Sequence, residues 1–152
     1  MKEHKDFLLE AIKESEKSVK VGGFPVGAVV VKNNKIISRG ISNGKKLKDP
    51  TSHAETSAIR KACKKLNTRN LKDCTLYSSC EPCMMCFFAS NWSFIPEIIY
   101  ACSKEKTPKN YFETSVNIKS IKNKNNLKQK IVHLKLLETQ AKLIIDNWEK
   151  NI

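Results

Sequence analysis

Arginine is scarce in this chain: three residues, Arg39, Arg60 and Arg69, stand beside 25 lysines among 152 residues, and the formal net charge is +13. Bidentate reading of phosphates and base edges favours the guanidinium fork. The charge therefore reads as a solvated lysine surface rather than a dedicated polynucleotide face, and its densest stretch, Lys119 to Lys130, reads as a solvated loop. An apolar leader is also missing, because Met1-Lys2-Glu3-His4-Lys5-Asp6-Phe7 is charged along its length, unlike a secretory signal. The longest uncharged run, Pro82 to Pro96, is too short to cross a bilayer, so no membrane association is expected. There is no internal repeat and no low-complexity segment. The length is that of one domain, expected to span residues 1–152. Six cysteines without a leader fit the reducing cytoplasm, with Cys63, Cys74 and Cys102 as small core residues.

Hydrophobic periodicity sets the order of elements. Phe7, Leu8, Ala11, Ile12, Ser15 and Val19 recur at helical spacing and predict an amphipathic first helix that stops at Gly22-Gly23. Gly27 to Val31 and Ile36 to Ser38, separated by Asn33-Asn34, predict a hairpin. Asp49-Pro50-Thr51-Ser52 reads as a turn and cap, followed by a helix from Ala54 to Leu66 with Ala58, Ile59 and Ala62 on one face. A strand from Cys74 to Ser79 leads to an apolar helix from Cys83 to Trp92, with Pro82 suited to its first position. Glu97 to Ala101 is a further strand. Ile131 to Leu134 predicts a last short strand, and Leu136 to Trp148 a terminal helix. This alternation of strands and helices predicts an α/β sheet covered by helices.

Two short motifs carry the chemistry: His53-Ala54-Glu55 and Glu81-Pro82-Cys83-Met84-Met85-Cys86. His53, Cys83 and Cys86 supply three ligands of the kind zinc prefers, and a catalytic zinc keeps its fourth position for water. One imidazole with two thiolates leaves the site formally neutral, and the metal brings the pKa of its water toward neutrality. Glu55, two residues beyond His53, is placed to reach that water without binding the metal, so it can move a proton from water to a leaving amine. The signature is the one described for zinc deaminases in general. Ligands at two helix starts gain from the positive ends of both helix dipoles, which favour thiolate. A closed structural site would need a fourth ligand, for which Cys80 is the nearby candidate, and would have no use for Glu55.

On these residues the chain resembles the bacterial guanine deaminases of the cytidine-deaminase superfamily. The likeness lies in Asp49-Pro50-Thr51-Ser52-His53-Ala54-Glu55, in Ala58-Ile59-Arg60-Lys61-Ala62-Cys63 and in Leu76-Tyr77-Ser78-Ser79-Cys80-Glu81-Pro82-Cys83-Met84-Met85-Cys86. It implies a three-layer sandwich, with helices on both faces of a five-stranded mixed sheet, and a homodimer hydrolysing guanine to xanthine and ammonia. The resemblance also implies Zn2+ on His53, Cys83 and Cys86, with Glu55 as proton shuttle. Ser42 or Asn43, Val26, Ala54 and Trp92 would contact the base, and the segment from about residue 136 would be exchanged between subunits. An acidic residue that reads guanine in those enzymes falls on Thr114, with Glu113 adjacent. Pro25-Val26-Gly27-Ala28 has instead the form found in tRNA adenosine deaminases, which makes adenosine-to-inosine conversion in tRNA the alternative. Tyr100 to Pro108 lacks the Gly-Ala-Arg-Asp segment of those enzymes and favours the small molecule. A zinc-binding structural protein without catalysis is the remaining reading.

Overall fold

In the strand Gly27–Lys32 (β1), Ala28 and Val30 face one side of the sheet while Val29 and Val31 face the other, and all four are buried. Such two-sided burial marks a central strand covered on both faces. The computed structural model describes residues 3–152. Antiparallel to β1 runs Lys35–Ile41 (β2), joined by a turn in which Asn33 and Asn34 hold φ of 48° and 61°. Those left-handed angles are what a two-residue hairpin turn needs, and asparagine tolerates them. On the other flank of β1 lies Cys74–Cys80 (β3), antiparallel to it, followed by Glu97–Cys102 (β4) and Lys130–His133 (β5), each parallel to its neighbour. The order is β2-β1-β3-β4-β5, a five-stranded mixed sheet.

Each face of the sheet is closed by helices whose apolar stripes match it. The first helix, His4–Lys20 (α1), and the last, Glu138–Glu149 (α6), pack Phe7, Leu8, Ala11, Ile12, Ala141 and Ile145 onto Val29, Val31, Tyr77 and Ile99. The opposite face takes Ala54–Leu66 (α3), Met84–Trp92 (α4) and Ile118–Lys124 (α5), through Ala58, Ala62, Phe87 and Ile118 against Ala28, Val30, Leu76 and Ile98. A four-residue turn of helix, Gly44–Leu47 (α2), precedes α3. This is the three-layer α/β sandwich that the resemblance implies. Two elements differ from the sequence reading. Pro82 precedes the cap rather than opening the helix, because Cys83 itself is the N-cap of α4 with extended backbone. Lys119 to Lys130 is not a plain loop: α5 occupies its first part, anchored by the fully buried Ile118.

Gly40 of β2 fixes how closely α3 approaches the sheet. A Cβ there would collide with the Ala54 carbonyl and lie 2.6 Å from the Ala58 backbone nitrogen. The first turn of α3 thus rests directly on β2. Among the described residues no helix is long and apolar enough to cross a membrane, and all six cysteines are free thiols.

Candidate metal centre and active site

His53 and Cys83 occupy equivalent places, each the N-cap of a helix that packs against the same face of the sheet. The backbone N–H of His53 donates to Thr56 Oγ1 at 3.0 Å, and that hydroxyl donates to the Thr51 carbonyl at 2.5 Å, which fixes the Asp49–Ser52 turn against the start of α3. The start of α4 is fixed from outside: the Met84 N–H donates to Glu113 Oε1 at 2.9 Å. The antiparallel pairing of β1 with β3, Ala28 opposite Ser78, brings the loop that leads into Cys83 beside the start of β1. Cys86, one turn into α4, is fully buried beneath it.

The three side chains converge. His53 Nδ1 is 3.5 Å from Cys83 Sγ and 3.5 Å from Cys86 Sγ, and the three ligand atoms lie within 4.8 Å of one another. A tetrahedral zinc with bonds of about 2.3 Å to sulfur and about 2.05 Å to nitrogen sets nitrogen and sulfur roughly 3.5 Å apart. The donor set and its spacing therefore fit zinc, and these contacts are ligand separations rather than an ordinary hydrogen-bonded cluster. Without metal the thiols share protons unequally. Cys83 is brought down to about 5, chiefly by its hydrogen bond from Cys86, and Cys86 is pushed up correspondingly. The same Cys83 sulfur raises His53.

Glu55 lies in the first turn of α3 and is only 3% exposed. Its Oε2 is 3.4 Å from Cys86 Sγ, and its Oε1 accepts from Ser78 Oγ at 3.0 Å, so the carboxylate is held beside the metal ligands by a strand residue from beneath. Burial, then the negative charge on Cys83, pushes its pKa up. A carboxyl so placed holds a proton more readily than a free glutamate and can return it to a reacting group.

Above these groups is a cavity of about 200 Å³, lined in part by Val26, Ser42, His53, Ala54, Glu55 and Cys83. Phe24, Asn110, Tyr111 and Phe112 supply its remaining wall, with Ile145 from α6. Val26, Ser42 and Ala54 thus line the cavity. Asn43 is not: it precedes α2, and its Oδ1 accepts from Ser52 Oγ at 2.6 Å, which commits it to the loop ahead of His53. Trp92 stands further off. It ends α4 at 78% exposure and does not line the cavity of its own chain, because α4 leads away from the metal ligands at its N-terminus.

Three features were not readable from the sequence. Glu81 is a buried strut, accepting the Lys104 N–H on Oε2 at 3.0 Å and the Ile118 N–H on Oε1 at 3.1 Å. The wall from Thr107 to Phe112 has no periodicity to betray it. Trp148 of α6 meets Phe24 and Tyr111, with ring centroids 5.3 and 5.7 Å apart, so three distant segments form an aromatic roof. Cys80 lines the cavity but stands apart from the ligand triad, buried beside its register partner Cys102, whose side chain raises it well above an ordinary thiol.

Residues 1–102 match the model of the cytidine and deoxycytidylate deaminase zinc-binding region, and the chain belongs to that family. It is 43% identical over 119 residues to guanine deaminase of Bacillus subtilis, covering 78% of this chain and 76% of that protein. It is also 43% identical over 100 residues to a tRNA-specific adenosine deaminase of Aquifex aeolicus, covering 66% of each chain. Among solved structures, B. subtilis guanine deaminase aligns with a TM-score of 0.67 at 45% identity, over 68% of this chain and 67% of that one. Guanine deaminase from Nitrosomonas europaea aligns over 99% of this chain and 86% of its own, with a TM-score of 0.86 at 20% identity, a likeness of fold.

Proposed function

We propose that this chain is a zinc-dependent hydrolytic deaminase of a purine base or nucleoside, with guanine, converted to xanthine and ammonia, as the best substrate. One observation carries this reading: a buried Glu55 carboxylate set against the His53, Cys83 and Cys86 cluster on the floor of a cavity sized for a single base. At about 200 Å³ the cavity falls below the roughly 300–1,000 Å³ of sites for larger ligands.

Zinc, when bound, supplies the Lewis acidity that makes water a nucleophile near neutral pH. Glu55 takes a proton as the carbon–oxygen bond forms at C2 of the purine and returns it to the exocyclic nitrogen as the carbon–nitrogen bond breaks, ending as it began. Ser78 keeps that carboxylate aimed. Phe24 offers a stacking surface, and Ser42 and Asn110 offer polar edges. A small substrate is favoured over tRNA because Ile145 and the Trp148 roof cover one side of the cavity, and the scarcity of arginine leaves little for a polynucleotide backbone to grip. The longer match to a guanine deaminase supports the same choice.

Met85, Phe88 and Trp92 on α4, continued by Phe94, form an exposed apolar stripe. A second copy covering it gives a homodimer and accounts for the exposure of Trp92. Action in the cytoplasm fits the free thiols. An ammonia-release screen against guanine, guanosine, adenine and cytosine, run beside inosine formation in a tRNA anticodon stem-loop, tests the substrate. Ammonia from a guanine compound is expected; inosine in the stem-loop with no ammonia from guanine compounds would assign the enzyme to tRNA.

A further inference from the structure

A second groove, of about 420 Å³, opens beside the cavity and shares Phe24, Ser42 and His53 with it. Its far wall is the segment before α3, including Lys45, Lys48 and Ser52. Among the described residues Lys45 and Lys48 make no ion pair or side-chain hydrogen bond, so their ammonium groups are free for a ligand. Asp49, the one acid in the groove, is held ionised by Thr51 and offsets one of the two positive charges, so the groove keeps a net positive charge. Its Oδ1 is engaged by the backbone N–H and hydroxyl of Thr51, at 2.8 and 2.6 Å. Lys48 also holds φ of 53°, a left-handed angle at which glycine is cheaper.

A base seated in the cavity would carry any substituent on its ring nitrogen out past Phe24 and Ser42, toward these lysines. We propose that the groove takes the ribose phosphate of a purine nucleoside 5′-monophosphate, with Lys45 and Lys48 holding the phosphate. On this view the site that takes the bare base also takes the nucleotide, and prefers it to the nucleoside. The inference rests on the deaminase reading of the cavity and adds its substrate class. The α6 roof lies over another part of the cavity wall and leaves this exit free.

The test compares kcat/KM for guanine, guanosine and guanosine 5′-monophosphate at two salt concentrations, for the wild type and a Lys45→Ala, Lys48→Gly double variant. The nucleotide should exceed the nucleoside by about tenfold or more, as expected for charge-assisted contacts to phosphate, with the advantage shrinking at high salt and collapsing in the variant. Equal values for nucleotide and nucleoside, or a ratio that the variant leaves unmoved, would overturn the proposal. So would faster turnover of a tRNA stem-loop than of the mononucleotide. Should no guanine compound release ammonia, the deaminase reading fails separately; calorimetric binding of the nucleotide against the nucleoside to zinc-loaded protein then decides the groove. Tighter binding of the nucleotide, lost in the variant, supports it, and equal binding overturns it.

Discussion

At the scale of single residues, Glu55 is both the working group and a burden on the fold. Burial raises its pKa, so between the ordinary glutamate pKa and its folded value the native chain holds a proton that the unfolded chain has released. By linkage the stability of the metal-free protein therefore falls as pH rises through that window. Glu55→Gln removes the titration and should raise the Tm of metal-free protein at pH 7, by about 2–4 °C for each kcal/mol relieved at this chain length. The same variant should keep zinc yet lose about 10²–10⁴ in turnover. Ser78→Ala deletes the donor to Glu55 Oε1, which raises the carboxyl further. The acidic limb of the pH–rate profile should move upward, whereas a limb that stays put would mean that Ser78 does not steer Glu55. These residues were legible in the sequence because metal ligation and proton transfer demand particular side chains at short spacings. The positions of Trp92 and Asn43 outside the cavity of their own chain were not legible, because which way a helix end or loop residue faces is set by packing the local sequence does not encode.

At the scale of elements, the helices matter through where they begin. Gly40→Ala would drive a methyl group into the Ala54 carbonyl, lifting α3 and His53 with it. Weakened zinc retention is expected, measurable by competition with a chelator, and unchanged retention would detach the metal geometry from β2. The strands and long helices were readable from periodicity, as α1, the hairpin and α3 illustrate. The Thr107–Phe112 wall and the Glu81 strut were not, because they rest on contacts between segments far apart in the chain. Helix α6 joins core to site: Ile145 is 1% exposed in the core and also borders the cavity. Ile145→Ala should cost about 2–5 kcal/mol of stability, read by urea titration. Trp148→Ala, at the roof, should raise KM more than it lowers the unfolding midpoint; the reverse would make Trp148 plain packing.

At the scale of the whole molecule, the excess of lysine over arginine and the apolar stripe on α4 make separate statements. The first favours solubility and modest electrostatic attraction of anions. The second calls for a partner, and Trp92→Glu should shift the proposed dimer toward monomer in sedimentation analysis, while an unaltered mass would place the interface elsewhere. Family and fold were legible from two motifs and an alternation of elements, because both express the same demand, that two helix starts meet at one end of the central strands. Substrate was not, since two relatives at equal identity carry different names for what they act on. The central claim is that His53, Cys83 and Cys86 hold one zinc beside a working Glu55. Metal content and ammonia release measured on the same preparations of wild type, Glu55→Gln and a Cys83→Ala, Cys86→Ala double variant test it most directly. About one zinc per chain in the first two, turnover in the wild type alone, and loss of zinc in the double variant are predicted; full zinc in the double variant, or ordinary kcat in Glu55→Gln, would contradict it.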